Sequence, residues 1–331
     1  MKFISVVTPC YNEEGNVEQL YREIKAVFDD LPQYDYEHVY IDNASTDGTV
    51  AILREIAKRD PRVKIIVNNR NFGHVRSPYH GLLQAKGDAV IGMCSDLQDP
   101  PQLIVQFLEG WEEGYPIVLG QKTTSEEAPL FFFIRRCYYR LAKKLADVEL
   151  IENVTGFGLY DRKVIEAFRG LDDSYPYVRG LISEMGYSVK RVAYMQATRK
   201  RGVTKNNFYT LFDVAMLGIT SHSKVPLRLA TMLGFAMSFI SFLIAMGYLV
   251  AKLLFWNHFE FGLAPLIIGL FFFASLQLFC IGLVGEYIGF IHTQVLNRPL
   301  VVERERINFT DEARPAASGD ELPAIIESTR E

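Results

Sequence analysis

No charged residue lies between Arg228 and Lys252, and none lies between Glu260 and Glu286. Each run is about 23 to 25 residues long, whereas a helix needs only about 20 to cross a hydrocarbon core. Helices buried in soluble proteins rarely run so far without a charge. The short KLLFWNHFEFG link makes the two runs, about 229–252 and 261–286, a transmembrane hairpin. Trp256, His258 and Phe259 suit the membrane interface. Lys224 and Arg228 precede the hairpin, Arg298, Arg304 and Arg306 follow it, and the link carries Lys252 alone. By the positive-inside rule both ends face the cytoplasm, which implies a multi-pass protein of the plasma (inner) membrane. Glu286 is expected at the cytoplasmic interface. Gly285 and Gly289 form a GxxxG that suits a helix–helix contact, leaving a homo-oligomer, dimer or tetramer, open.

The remainder reads as an α/β protein. Net charge over 331 residues is −4, so there is no basic excess of the kind nucleic acid attracts. Four dispersed cysteines, Cys10, Cys94, Cys137 and Cys280, form no CxxC pair. They argue against a zinc site or a disulfide framework. The opening MKFISVVTPCYNEE is too short for a secretory signal and reads as a first strand. Apolar runs predict strands at 4–8, 38–41, 63–67, 89–93 and 117–119. Helical spacing predicts helices at 13–28, 49–57, 80–85 and 103–111. This alternation predicts a mainly parallel sheet covered on both faces.

Three predicted strands end in polar clusters: TPCYNEE, DNASTDGT and SDLQDPP. In parallel sheets such clusters share the carboxyl rim, where ligands bind. Asp96 and Gln98 offer hard oxygen ligands at i and i+2, with Asp99 adjacent, a set that suits Mg²⁺ or Mn²⁺ rather than zinc. Neither GxxxxGK[ST] nor GxGxxG occurs in the strand-to-helix turns, which removes the P-loop and dinucleotide readings.

TPCYNEEGNV, YIDNASTDGT, NFGHVRSPYHGLLQAKGDAVIGMCSDLQDPP, the later RGL and RKRGVTKNNF resemble the family 2 glycosyltransferases of GT-A (Rossmann-like) fold. Within them the chain is similar to the polyprenyl-phosphate branch, which includes bactoprenol glucosyl transferases and dolichol-phosphate mannose synthases. The resemblance implies that Pro9, Tyr11, Asn12 and Glu13 border the nucleotide and that Asp42 bonds its base. It implies that Asp96 and Gln98 hold the metal, that Lys122 contacts phosphate, and that Arg135 or, preferably, Arg136 binds the acceptor phosphate. Arg201 and Lys205 would close over the diphosphate. Asp99 would orient the acceptor or a metal-bound water.

Two departures stand out. Cys94 replaces the first aspartate of the usual DxDLQ, and a thiol is a poor ligand for Mg²⁺. NVTGFGLYDR lacks an acidic residue that relatives carry near Gly156, so no catalytic base is named there. None is required, because a polyprenyl phosphate is already an anionic nucleophile. The implied activity is inverting transfer of a hexose, glucose by expectation, from a UDP-sugar to undecaprenyl phosphate. GDP-mannose as donor, a processive polysaccharide synthase (its QxxRW motif is absent) and a non-enzymatic scaffold are the competing readings. A lipid acceptor also accounts for the membrane architecture. Residues 207–222 read as an interfacial amphipathic helix, and LFFFIRRCYYRLAKKL, 130–145, suits an anionic membrane surface. The expected organisation is a catalytic domain over 1–206, an interfacial segment over 207–228, the hairpin region over 229–306, and a disordered cytoplasmic tail over 307–331.

Overall fold

The computed structural model describes residues 1–123, 154–171, 173–196, 216–218, 220–221, 223–254 and 263–309. Four βα steps and a fifth strand open the chain: β1 (Lys2–Cys10), α1 (Val17–Asp29), β2 (Tyr34–Asp42), α2 (Thr49–Arg59), β3 (Val63–Asn68), α3 (Gly73–Gln84), β4 (Ala89–Gly92), α4 (Leu103–Glu112) and β5 (Ile117–Lys122). Then come β6 (Val154–Asp161), α5 (Arg162–Arg169), α6 (Val178–Glu184) and β7 (Val189–Tyr194). Two long helices, α7 (Val225–Leu254) and α8 (Leu263–Val295), precede a last strand, β8 (Glu303–Ile307).

The strands form one sheet in the order β7-β5-β6-β4-β1-β2-β3-β8. Strand β1 pairs in parallel with both β2 and β4, so the chain winds outward in two directions from it. The gap between β1 and β4 is therefore the topological switch point, where the connecting loops diverge and open a crevice. β6 runs antiparallel to β4, with Gly92 opposite Gly158, which brings the first residues of β6 to the same rim as the last residues of β4. One face buries Ile4, Val6, Leu20, Ile24, Ile91 and Phe107. The other buries Val7, Ile41, Tyr79, Leu82 and Tyr160. Alternate residues of β1 thus serve opposite cores, as the two-residue period of a strand requires.

Helix α1 starts at Val17, four residues later than the spacing predicts. The Glu13 carbonyl accepts from the N–H groups of Asn16 and Val17, so residues 13–16 form a turn that leaves the loop free to reach its neighbour. The hairpin helices run past the predicted spans, and both are long and apolar enough to cross a membrane. The hydropathy boundaries shift at the far end. Residues 303–306, grouped with the hairpin by sequence, and Ile307, assigned to the tail, form β8 and pair antiparallel with β3. Asn308, assigned to the tail, donates to the carbonyls of Ala57 (2.8 Å) and Val63 (2.9 Å). The chain on both sides of the hairpin accordingly belongs to one domain. Of the expected interfacial helix, residues 216–218 and 220–221 are described and are helical, with Leu217 buried; residues 207–215 lie outside the described residues.

Candidate active site

The loops after β1 and β2 interlock. Asn12 adopts a left-handed backbone (φ 57°), which turns its N–H toward Ser45 Oγ at 2.9 Å. Its side chain accepts from the Thr46 N–H (2.8 Å) and donates to Thr46 Oγ1 (3.2 Å). The Glu13 N–H donates to Thr49 Oγ1, and the Gly48 N–H donates to Glu14 Oε2. The Glu13 carboxylate is buried and accepts from Asn16 Nδ2 at 2.6 Å. Asn12 and Glu13 therefore shape the rim, since their polar atoms are engaged within it.

Asp42 ends β2 fully buried, paired across the ladder with Cys10. Its carboxylate accepts from both the hydroxyl and the N–H of Ser45. Burial raises its pKa above the ordinary carboxylate value, and the Ser45 bonds counter this only in part. The charge of Arg304 on β8 also reaches Asp42.

The SDLQD loop separates its carboxylates. Leu97 takes a left-handed backbone (φ 56°) while its side chain packs on the core. Asp99 turns inward, 2 % exposed, and accepts from Tyr194 Oη (2.6 Å) and Gln196 Nε2 (3.3 Å). Burial, with the nearby Asp96 adding to it, raises the Asp99 pKa despite the tyrosine bond. Asp96 and Gln98 stay half-exposed on the rim, and the Gln98 N–H donates to Asp96 Oδ1 at 3.2 Å. A loop pinned by a leucine and a buried aspartate thus presents the remaining carboxylate outward. Among the described residues no group of three His, Cys, Asp or Glu side chains could hold a metal by itself. One rim carboxylate and one amide still fit Mg²⁺ or Mn²⁺, which usually draw few protein ligands and complete their shell with substrate phosphates and water.

Beside this loop, at the switch point, lies a cavity of about 230 Å³. Pro9 of β1, Cys94 after β4, Gly156 of β6, His74 of α3 and Arg179 of α6 line it, together with apolar side chains. Gly156 has φ +91°, a conformation that disfavours any side chain, and a Cβ there would meet open space. Cys94 is an exposed residue, while local desolvation, then Asp99 and Asp96, push its thiol pKa up to about 12 and keep the thiol neutral. Lys122, at the end of β5, has its pKa lowered by burial, while Asp99 opposes the shift and the Arg179 charge reinforces it. Partial desolvation, then Arg179, holds His74 below the ordinary imidazole value. His74, Cys94 and Arg179 thus line one opening, and Lys122 lies within electrostatic reach of Arg179 and Cys94 and of the Asp96 and Asp99 carboxylates.

A family description, glycosyl transferase family 2, matches residues 5–169. The glycosyltransferase YkcC of Bacillus subtilis strain 168 is 36 % identical over 300 residues, covering 90 % of this chain and 92 % of its own. This chain is a family 2 glycosyltransferase. A second relative, the SfII prophage-derived bactoprenol glucosyl transferase of Shigella flexneri, is 35 % identical over 297 residues, 89 % of this chain and 96 % of its own. Among solved structures, glucosyl-3-phosphoglycerate synthase from Mycobacterium tuberculosis, in complex with Mn²⁺, UDP and phosphoglyceric acid, superposes with a TM-score of 0.46. It is 22 % identical and covers 66 % of this chain and 76 % of that one. The sheet of this glycosyltransferase is the mainly parallel, GT-A-like arrangement, followed by two long apolar helices.

Of the residues singled out from sequence, Arg135, Arg136, Arg201 and Lys205 lie outside the described residues. Tyr11 is half-buried in the loop after β1. Three contributors to the rim went unassigned in the sequence reading: Arg304, His74 and Arg179. Arg179 belongs to the RGL already quoted, but nothing in its spacing says that it faces the end of β4. The fold also ties the hairpin to this rim. Gln294 of α8 donates to Asp173 Oδ1 (2.7 Å) and accepts from the Ser174 N–H (3.1 Å), while Ser174 Oγ donates to Asn297 Oδ1 (3.3 Å). Residues 173–177 run from that joint straight into the cavity wall.

Proposed function

We propose that this glycosyltransferase transfers glucose from UDP-glucose to a polyprenyl phosphate at the cytoplasmic face of the membrane. The observation that carries the reading is the joint at Gln294. An apolar hairpin, suited to lipid, is bonded to the loop that walls a cavity at the catalytic rim. The relatives named bactoprenol glucosyl transferases support the same acceptor class. An acceptor phosphate oxygen attacks the anomeric carbon with its own electron pair. The bond from that carbon to the diphosphate oxygen breaks, its electron pair leaves with the nucleotide diphosphate, and the anomeric configuration inverts. No proton has to be removed from the nucleophile, which accords with a cavity wall that carries no carboxylate among the described residues.

In this reading Pro9, Tyr11, Asn12, Glu13 and Asp42 form the nucleotide end of the site, with Arg304 balancing the Asp42 charge. Asp96 and Gln98 would hold Mg²⁺ or Mn²⁺, whose charge would stabilise the departing diphosphate. Asp99, tied to Tyr194, sets the loop that presents Asp96, which is a positioning role. Lys122 faces the phosphates, and Arg136, Arg201 and Lys205 supply further cations. The hairpin crosses the inner membrane with both flanks cytoplasmic.

The test is transfer of labelled glucose from UDP-glucose into undecaprenyl phosphate by the full chain, with Mg²⁺, Mn²⁺ or chelator. Asp96→Ala is expected to lower turnover by at least about a hundredfold, the scale of losing one major electrostatic contributor. Product from GDP-mannose but not from UDP-glucose would change the donor and keep the mechanism. Absence of labelled lipid with every sugar nucleotide, in a protein that folds and enters the membrane, would sink the proposal.

A further inference from the structure

We infer that the cavity at the switch point is the seat of the acceptor's phosphate, and that Arg179, assisted by His74, binds it there in addition to Arg136. This rests on the acceptor class proposed above and adds the residues and the place. Four observations converge. The cavity, at about 230 Å³, falls below the ~300–1,000 Å³ usual for a site that encloses a whole drug-sized ligand. Its size suits a head group better than a nucleotide sugar. Its walls are largely apolar, from Val7, Pro78, Leu82, Phe157 and Pro176, and no carboxylate lines it among the described residues. The Arg179 guanidinium makes no ion pair among the described residues, although it stands within electrostatic reach of His74 and Lys122. Arg179 is therefore the charged group on the wall, and His74, held below the ordinary imidazole value, adds a neutral ring donor rather than a second cation. A guanidinium is the donor best shaped to hold a phosphate through two parallel bonds.

The position completes the case. Cys94 lies on the cavity wall and Asp96 two residues further along the same loop, so a phosphate on Arg179 sits next to the place where a donor diphosphate meets the rim. Arg179 also lies two residues past the 173–177 stretch, which Gln294 of α8 and Asn297 just beyond that helix hold by hydrogen bonds. An apolar chain attached to the phosphate therefore has a route along that loop to the hairpin. Cys94 contributes a neutral wall where an aspartate would set a carboxylate against the incoming anion. Arg179 thus neutralises the nucleophile enough to bring it in, while leaving one phosphate oxygen free to attack.

The experiment uses the full chain in lipid nanodiscs. Binding of a fluorescent short-chain polyprenyl phosphate is measured against the matching polyprenol and against inorganic phosphate as competitor. UDP binding and glucose transfer are followed in parallel for wild type, Arg179→Gln, Arg179→Lys and His74→Gln. Arg179→Gln is expected to weaken polyprenyl phosphate binding and raise its KM by about ten- to a hundredfold, the scale of losing a bond to a charged group. UDP affinity, which also reports folding, should stay within about twofold, polyprenol binding should not change, and Arg179→Lys should recover part of the loss. His74→Gln should cost only a few-fold. Competition by millimolar inorganic phosphate in wild type but not in Arg179→Gln would assign the recognition to the phosphate rather than to the chain. Unchanged acceptor binding in Arg179→Gln, in a preparation whose wild type transfers glucose, would overturn the assignment and leave the proposed function intact. A wild type that binds UDP but neither binds nor glucosylates polyprenyl phosphate would overturn both.

Discussion

The catalytic domain and the hairpin carry similar side chains in opposite circumstances. Phe107 of α4 is 0 % exposed and packs edge-on against Phe157, with ring centroids 4.8 Å apart. Phe271 of α8 is 69 % exposed, as is Leu278. A contiguous apolar surface of that extent is not sustained in water. The sheet buries its apolar residues against its own helices, whereas the two long helices leave theirs exposed, as helices long and apolar enough to cross a membrane do. The contrast shows that hydropathy locates apolar residues but does not name their partner, which in the sheet is protein of the same chain and along the two long helices is not.

The sharpest way to break this comparison is to truncate one phenylalanine from each region. Phe107→Ala should destabilise the catalytic domain by about 3–5 kcal/mol, because it removes buried atoms and leaves a cavity. Thermal unfolding in detergent would read this as a large fall in Tm. Next in size, Leu278→Lys places a charge in the middle of α8 and should disfavour insertion by roughly 2.5–3.5 kcal/mol. Membrane fractionation would show protein lost from the bilayer, while UDP affinity of the solubilised fraction stays near wild type. Normal insertion of that variant would argue that α8 lies against protein.

A smaller effect tests the seam between the regions. Glu303 of β8 accepts from His80 Nε2 (2.6 Å) and from Arg306. Burial alone would raise its pKa, but the bonds from His80 and Arg306 prevail and bring it from the ordinary 4.5 down to about 2. A carboxylate depressed in the folded state contributes stability that is present above about pH 4.5 and lost as the pH falls toward about 2. Glu303→Gln should cost about 0.5–1.5 kcal/mol at pH 7, screened because the group is only partly buried. It should also flatten the acid limb of the stability profile, which chemical denaturation at pH 7, 5 and 3 would reveal. At the bottom of the scale, Phe271→Ala should change the unfolding of the catalytic domain by less than about 0.5 kcal/mol. A loss near that of Phe107→Ala would mean that the two regions share a core.

Legibility followed the same division. Strands β1 to β5 were readable because each is an apolar run with a helical pattern behind it, and the rim clusters were readable because they interrupt those runs. β8 was silent. Its sequence ERERI alternates charge with charge, and at a sheet edge its pairing depends on backbone bonds that composition does not encode. The antiparallel course of β6 was silent too, although its residues had been quoted as a motif. Within the site, Asp96 and Asp99 look alike in sequence. Only the fold shows that Tyr194, 95 residues later, draws Asp99 inward and leaves Asp96 at the surface. Arg179 escaped for the corresponding reason, since facing the end of β4 is a property of the sheet order.

The edge strand β8 has a consequence for biogenesis. Translation delivers β3 early, and its free edge waits for a partner encoded beyond both apolar helices. While the ribosome is still emitting α7 and α8 the sheet is unfinished, and it closes only when residues 303–307 emerge on the side where β1 to β7 already stand. A chain that threads a single helix through the bilayer strands its last segment across the membrane from the sheet, with Asn308 unable to reach Ala57 and Val63. Sheet completion thus requires residues 303–307 to lie on the same side as β3, and Arg304, whose charge reaches Asp42, arrives with them.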